Sequence, residues 1–142
     1  MRRVQRLQFG PYTSPAFKVG QQVQCAVRGR VTIAGVSNGR IPWPFCVLRC
    51  RALIVYRDLE RAVRQEPASA VAHWWGVSIN TVGRWRRALG IGQYNPGTVK
   101  LRRAGYDDPV RSRKISAAKR GKPRPSKVRE KIRAALKRHY GT

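Results

Sequence analysis

Acidic side chains are scarce in this sequence. Six Asp and Glu stand against 31 Lys and Arg, which gives a formal net charge of +25 over 142 residues and a pI near 11.7. So lopsided a balance excludes an ordinary small-molecule enzyme and leaves few carboxylates to hold a catalytic metal ion. Histidine is nearly missing as well: His73 and His139 are the two present, and each is isolated. No apolar run approaches the roughly 18 residues that a spanning helix needs, which argues against a membrane protein. No apolar stretch stands near Met1, so no secretory signal is expected. The cysteines, Cys25, Cys46 and Cys50, are odd in number. They read as reduced thiols of a cytoplasmic protein.

What is abundant is positive charge, and it comes in blocks. From Met1 to Arg57 there are ten basic residues and no acid. From Asp58 to Pro96 five basic residues face three acids, and this stretch also holds three of the four tryptophans. From Gly97 to Thr142 sixteen basic residues face three acids. The pattern is a folded middle flanked by two cationic segments. Charge of this size repels itself until a polyanion neutralises it and releases counterions. A membrane-surface helix would carry a broad apolar face of Trp, Phe and Leu. The basic C-terminal third has no Trp or Phe, so nucleic acid is the expected partner.

The local patterns predict an α+β protein that is mainly α, divided as follows. Residues 1–18 read as a flexible basic arm with Arg2, Arg3 and Arg6, punctuated by Pro11 and Pro15. In residues 19–57, Val23, Cys25 and Val27 alternate with polar residues, as do Val31 and Ile33, with Gly29 between the two runs. Period-two patterns around a glycine turn predict a β-hairpin. A lone hairpin is marginal in water, so it should dock on the middle block. Ile41-Pro42-Trp43-Pro44 reads as extended, because residues before proline avoid the helical region, and Trp43 is its expected anchor. Residues 58–92 read as three helices. Asp58 is expected to cap the first, and Asp58, Glu60 and Glu66 to be surface charge on it. Pro67 opens the second, which runs to Trp75. Gly76 and Ser78 make a turn and a cap, and the third runs from Ile79 to Leu89. Residues 93–108 read as a linker around Asn95-Pro96-Gly97. Residues 109–142 read as a basic module of two short helices. Asp108 with Pro109 starts the first, Gly121 stops it, and Ser126 caps the second.

The stretch Val71–Trp85, VAHWWGVSINTVGRW, has the spacing that two crossing helices need. The small Ala72 stands four residues before Gly76, and Val71, Trp75, Val77, Val82 and Trp85 fall at buried offsets. It resembles the helix-turn-helix superfamily. The resemblance implies that Ile79–Leu89 is a recognition helix lying in the DNA major groove. If Val82, Trp85 and Leu89 face the core, then Asn80, Thr81, Arg84 and Arg87 face outward. Those types suit direct readout of adenine, thymine and guanine edges. Ser78 at the helix start suits a phosphate, and Arg86 joins the basic set on this helix. Gly83 permits close approach while weakening the helix by roughly 1 kcal/mol relative to Ala. Trp74 is surplus to the motif and is expected to pack on the hairpin or Trp43. The alternative is a three-helix core used only for protein contact.

The C-terminal segment contains an internal repeat. Lys114-Ile115-Ser116-Ala117-Ala118 recurs as Lys131-Ile132-Arg133-Ala134-Ala135, and each copy runs on into a Lys-Arg pair. Neither copy has the apolar residues for a core of its own. Both read as short cationic helices that order on a polyanion. The segment resembles the third class of nuclease-associated modular domain on Lys114, Ile115, Ser116, Ala118, Gly121, Lys122, Ser126, Lys131 and Ile132. That resemblance implies short helices along DNA, with small residues such as Ser116 in the minor groove and cations on phosphates. The expected contacts are Arg113, Lys114, Ser116, Lys119, Arg120, Lys122 and Arg124.

No nuclease constellation, phosphate-binding loop or dinucleotide fingerprint is present. Cys46 and Cys50 lack the tight knuckle spacing of structural zinc sites, and small buried thiols are the expected role of all three cysteines. The expectation is a non-catalytic double-stranded DNA-binding protein with no cofactor. The alternatives are a targeting accessory of a separate nuclease or recombinase, and an RNA-binding protein.

Overall fold

The first apolar alternation folds as expected. Val23, Cys25 and Val31 pair across a tight antiparallel hairpin of β1 (Gln22–Cys25) and β2 (Gly29–Thr32), with Val23 opposite Val31 and Cys25 opposite Gly29. The computed structural model describes residues 2–141; Met1 and Thr142, the outermost residues of the expected arm and tail, lie outside the described residues. The molecule is 48% helical with 12% strand, so it is a mainly-α member of the α+β class.

A second sheet follows that the sequence patterns show only in part. Strands β3 (Gly35–Val36), β4 (Pro44–Val47) and β5 (Arg51–Leu53) form an antiparallel sheet in that order. The extended Trp43-Pro44 segment leads into β4. The β4–β5 turn, Leu48-Arg49-Cys50, carries neither Gly nor Asn, which is why no hairpin signal marks it. Trp43 is fully buried, and its indole N–H donates to the Ile54 carbonyl at 2.8 Å. Both sheets are tied to the chain that enters the helices. Ala26 N–H donates to Val55 O at 2.7 Å, and Val55 N–H to Cys25 Sγ at 3.4 Å.

Three helices then pack as expected: α1 (Arg57–Gln65), α2 (Ala68–Trp75) and α3 (Ile79–Ala88). Leu59, Ala62 and Val63 of α1, Val71 and Trp75 of α2, and Val82 and Trp85 of α3 are all buried in one core. Gly76 ends α2 at φ +70°, a left-handed geometry that a side chain disfavours. Aromatic edges join the pieces: Tyr12 meets Trp75 at 5.6 Å, Trp75 meets Trp43 at 5.9 Å, and Trp43 meets Tyr56 at 6.0 Å between centroids.

Several expectations need correction. The leading arm is pinned along much of its length. A 3-10 turn at Arg3–Gln5 lies against α2, with Ser69 Oγ donating to Val4 O at 2.6 Å and Trp74 Nε1 to Gln5 O at 2.8 Å. Trp74 therefore fastens the arm while its half-buried ring packs against the core. Asp58 does not cap α1, because the helix begins one residue earlier; its carboxylate accepts from Thr13 N–H at 2.9 Å instead. Glu66 is no surface charge. It is wholly buried, and its carboxylate accepts from Gln8 N–H at 2.7 Å, Phe9 N–H at 2.6 Å and Tyr12 O–H at 2.9 Å. Those donors lie more than fifty residues away in sequence, so no local pattern could announce them.

The expected linker is also largely helical: α4 spans Pro96–Tyr106. Asn95 fastens its start. The Asn95 amide donates to Glu66 O at 2.7 Å, and its oxygen accepts from Thr98 N–H at 3.0 Å. Gly97 is required here, since a Cβ would collide with Gln65 O and stand 2.7 Å from Pro67 Cδ.

The chain divides into two units, Met1–Gly105 and Tyr106–Thr142. The second unit contains α5 (Pro109–Lys119) and α6 (Ser126–Tyr140). Asp108 caps α5, accepting from Val110 N–H at 3.0 Å and Arg111 N–H at 3.4 Å, with Pro109 as the first helical residue. Every residue from Pro109 to Tyr140 is exposed.

Candidate nucleic-acid interface

The start of α3 is fixed by Ser78. Its Oγ accepts from Thr81 N–H at 3.2 Å and lies 3.0 Å from Thr81 Oγ1. This satisfies one of the free N–H groups of the first turn and sets the angle at which the helix leaves the turn. Val82 and Trp85 face inward, so helical geometry turns Asn80, Arg84 and Arg87, at steps of four and three, to the opposite side. All three are exposed, and Thr81 is half-buried at their edge. Gly83 lies beside them, and outside its own turn of helix nothing stands within 4 Å of where a Cβ would be. No Asp or Glu occurs from Pro67 to Tyr106, so no carboxylate on α2, α3 or α4 neutralises this face.

Arg86 leaves the expected set. Only 8% of it is exposed, and its guanidinium donates to Glu66 O at 2.7 Å. That carbonyl ends α1, where a cation is favoured by the helix dipole. Burial lowers the Arg86 pKa from its ordinary value. Arg86 thus clamps α3 to α1, with its guanidinium engaged by the Glu66 carbonyl. In a run of Arg-Trp-Arg-Arg the residue next to a buried Trp can fall on either side of the boundary, and composition alone does not decide which.

The tail candidates occupy the second unit. Arg113, Lys114, Ser116 and Lys119 lie on α5, and Arg120, Lys122 and Arg124 in the connection to α6; all are exposed. Both copies of the repeat are helical, the first on α5 and the second on α6.

Some residues at the site escape sequence reasoning. A cleft of about 490 Å³ opens between the β3–β4–β5 sheet and the start of α3, and Arg28, Arg51 and Arg84 line it together with Ser78 and Thr81. Arg28 and Arg51 come from a turn and a strand far from α3 in sequence, and no motif links them to it. The sheet is held there by Ile41 N–H donating to Trp74 O at 2.8 Å and by Arg40 to His73 O at 3.3 Å.

Cys25 and Cys46 are buried as expected, and burial raises the Cys46 thiol pKa; Cys50 is exposed, contrary to expectation, because it sits at the β4–β5 turn. Among the described residues, no three His, Cys, Asp or Glu gather to hold a metal ion, and no helix is long and apolar enough to cross a membrane. No family model matches the chain, and neither a curated protein nor a solved structure matches it. The chemistry of the site is therefore read from its residues.

Proposed function

We propose that this chain is a non-catalytic double-stranded DNA-binding protein. In this reading α3 enters the major groove, and the cationic helices of the second unit contact phosphates or the minor groove. The observation that carries the reading is the outer face of α3. Asn80, Arg84 and Arg87 project from a helix capped by Ser78, with Gly83 open beside them and no carboxylate on the helix. Arg and Asn are the side chains that pair in two-pronged fashion with guanine and adenine edges. A glycine in open space at mid-helix costs about 1 kcal/mol relative to Ala; nothing in the core calls for it, whereas a base edge or sugar pressed against α3 would. In this reading Lys114, Lys119, Arg120 and Lys122 of the exposed repeat are phosphate contacts.

Selection from a random duplex library with the full chain tests this. A preferred site should emerge, and Arg84→Ala should relax one base position by about 1–3 kcal/mol without moving the unfolding midpoint. Charge reversal at Arg84 and Arg87 that leaves both affinity and preference unchanged would instead favour a three-helix core used for protein contact.

A further inference from the structure

The cleft beside α3 has a chemistry of its own. Arg28 reaches it from the β1–β2 turn, Arg51 from β5 and Arg84 from α3, and no carboxylate lines it among the described residues. Cations converging on one concavity repel one another until an anion fills it. The Arg51 guanidinium lies over the Phe45 ring at 5.1 Å, a cation–π contact that favours its placement at the cleft. Arginine in such a stack presents a planar donor fork suited to phosphate. Ser37 and Asn38 also line it, as do Ser78 and Thr81 at the start of α3.

We infer that this cleft seats phosphodiester groups of the DNA strand flanking the bases that α3 reads, with Arg28 and Arg51 as the contacts supplied by the sheets. The inference rests on the proposed function and extends it. The interface then includes two elements that precede the three helices in sequence, and the duplex is gripped from two directions. Phosphate contacts of this kind set register and affinity without carrying base information.

Cys50 supplies a native reporter. It lines the same cleft and its thiol is exposed, whereas Cys25 and Cys46 are buried. The experiment uses the full chain, a selected 20-base-pair duplex and the double variant Arg28→Ala/Arg51→Ala. Removing two phosphate contacts should lower the magnitude of the log-affinity against log-salt slope by about 2, at about 0.9 per contact, with base preference unchanged. Arg28→Lys/Arg51→Lys should restore most of the slope, which a folding defect would not do. Saturating duplex should slow maleimide alkylation of Cys50 at least tenfold in the wild type. An unchanged slope in the Ala variant, or Cys50 alkylated at the free rate while duplex is bound, overturns the cleft assignment and leaves the α3 reading intact. Equal protection of Cys50 by inorganic phosphate, with the slope unchanged, assigns the cleft to a small phosphate-bearing molecule and also overturns it. Wild-type binding without any base preference sinks the α3 reading instead.

Discussion

The two units of this chain solve the problem of positive charge in opposite ways. The first buries a core of eighteen apolar residues between Tyr12 and Trp85, and its few acids have structural uses. Glu66 collects the arm, and Asp58 holds Thr13 and pairs with Arg61 at 3.4 Å. The second has thirteen Lys and Arg against three acids and no buried side chain along α5 or α6. Its apolar residues Val128, Ile132, Leu136 and Tyr140 recur every fourth position of α6 and remain exposed. The difference teaches that cationic composition alone does not mark a binding surface. In the first unit some arginines are fasteners and others are free to meet a ligand; in the second every cation faces solvent.

Substitutions that should behave differently in the two units sharpen this contrast. The largest effect is expected at Trp85, buried in the core of α3: Trp85→Ala should cost about 3–5 kcal/mol, whereas Leu136→Ala on α6 should stay within about 0.5 kcal/mol. Urea unfolding followed by tryptophan fluorescence for the first and by circular dichroism for the second checks both. Comparable losses at the two positions would mean that α6 is buried in solution and would break the comparison.

Next comes Glu66. Replacing it with Ala strands three donors of the arm, and about 3 kcal/mol of stability should go with them. Faster amide exchange at Gln8 and Phe9 would show that the arm has come loose.

Neighbouring arginines provide a third test. Arg86→Ala should lower stability by about 2 kcal/mol, since it removes a charged hydrogen bond to Glu66 O. Arg87→Ala should leave the unfolding midpoint in place and weaken duplex binding. The reverse pattern would mean that the two faces of α3 are wrongly assigned.

The smallest effect is a pH dependence. Burial pushes the Tyr12 phenol well above its ordinary value near 10, aided by its hydrogen bond to Glu66 and that carboxylate's charge. The unfolded chain releases this proton near pH 10 while the folded chain keeps it. The Tyr12 contribution is therefore complete below pH 10 and declines as pH rises above it. Stability should fall by about 1 kcal/mol between pH 9 and 11 beyond what Tyr12→Phe shows. The Tyr56 phenol is also raised by burial, so some decline with the same sign remains in the variant. Parallel slopes for wild type and Tyr12→Phe would contradict the buried pairing.

The legible parts of the fold were those written in local spacing. The hairpin follows from alternation around Gly29, α2 and α3 from apolar offsets with Gly76 between them, and the α5 start from Asp108-Pro109. What escaped depends on contacts distant in sequence. Glu66 looks like surface charge in the sequence because its three donors belong to the distant arm. The arm looks flexible in the sequence because nothing near Val4 or Gln5 announces Ser69 and Trp74. Residues 93–108 look like a linker because Asn95-Pro96-Gly97 spells a turn, yet Pro is well suited to the first turn of a helix, and Gly97 is there for close packing against Gln65. Of the candidate interface, Ser78, Asn80, Arg84 and Arg87 were legible from helical periodicity. Arg86 joins the expected contacts by its charge alone, and its burial against the Glu66 carbonyl is set by α1; Arg28 and Arg51 are invisible because only tertiary structure brings them to α3.

The central claim is that the first unit reads sequence and the second supplies charge. All residues of the buried core precede Gly105, so a chain ending there can be compared with the full chain once circular dichroism shows it folded. The decisive measurement is the affinity of both for a selected duplex and for a random one at 50 and 200 mM salt. With six to ten phosphates contacted, the full chain should lose roughly 10³–10⁵ in affinity between those salt concentrations. The shortened chain should bind more weakly and with a shallower salt slope, yet keep the same ratio of selected to random affinity. Loss of that ratio when the second unit is removed, with the first still folded, would contradict the account and place sequence recognition in the cationic helices.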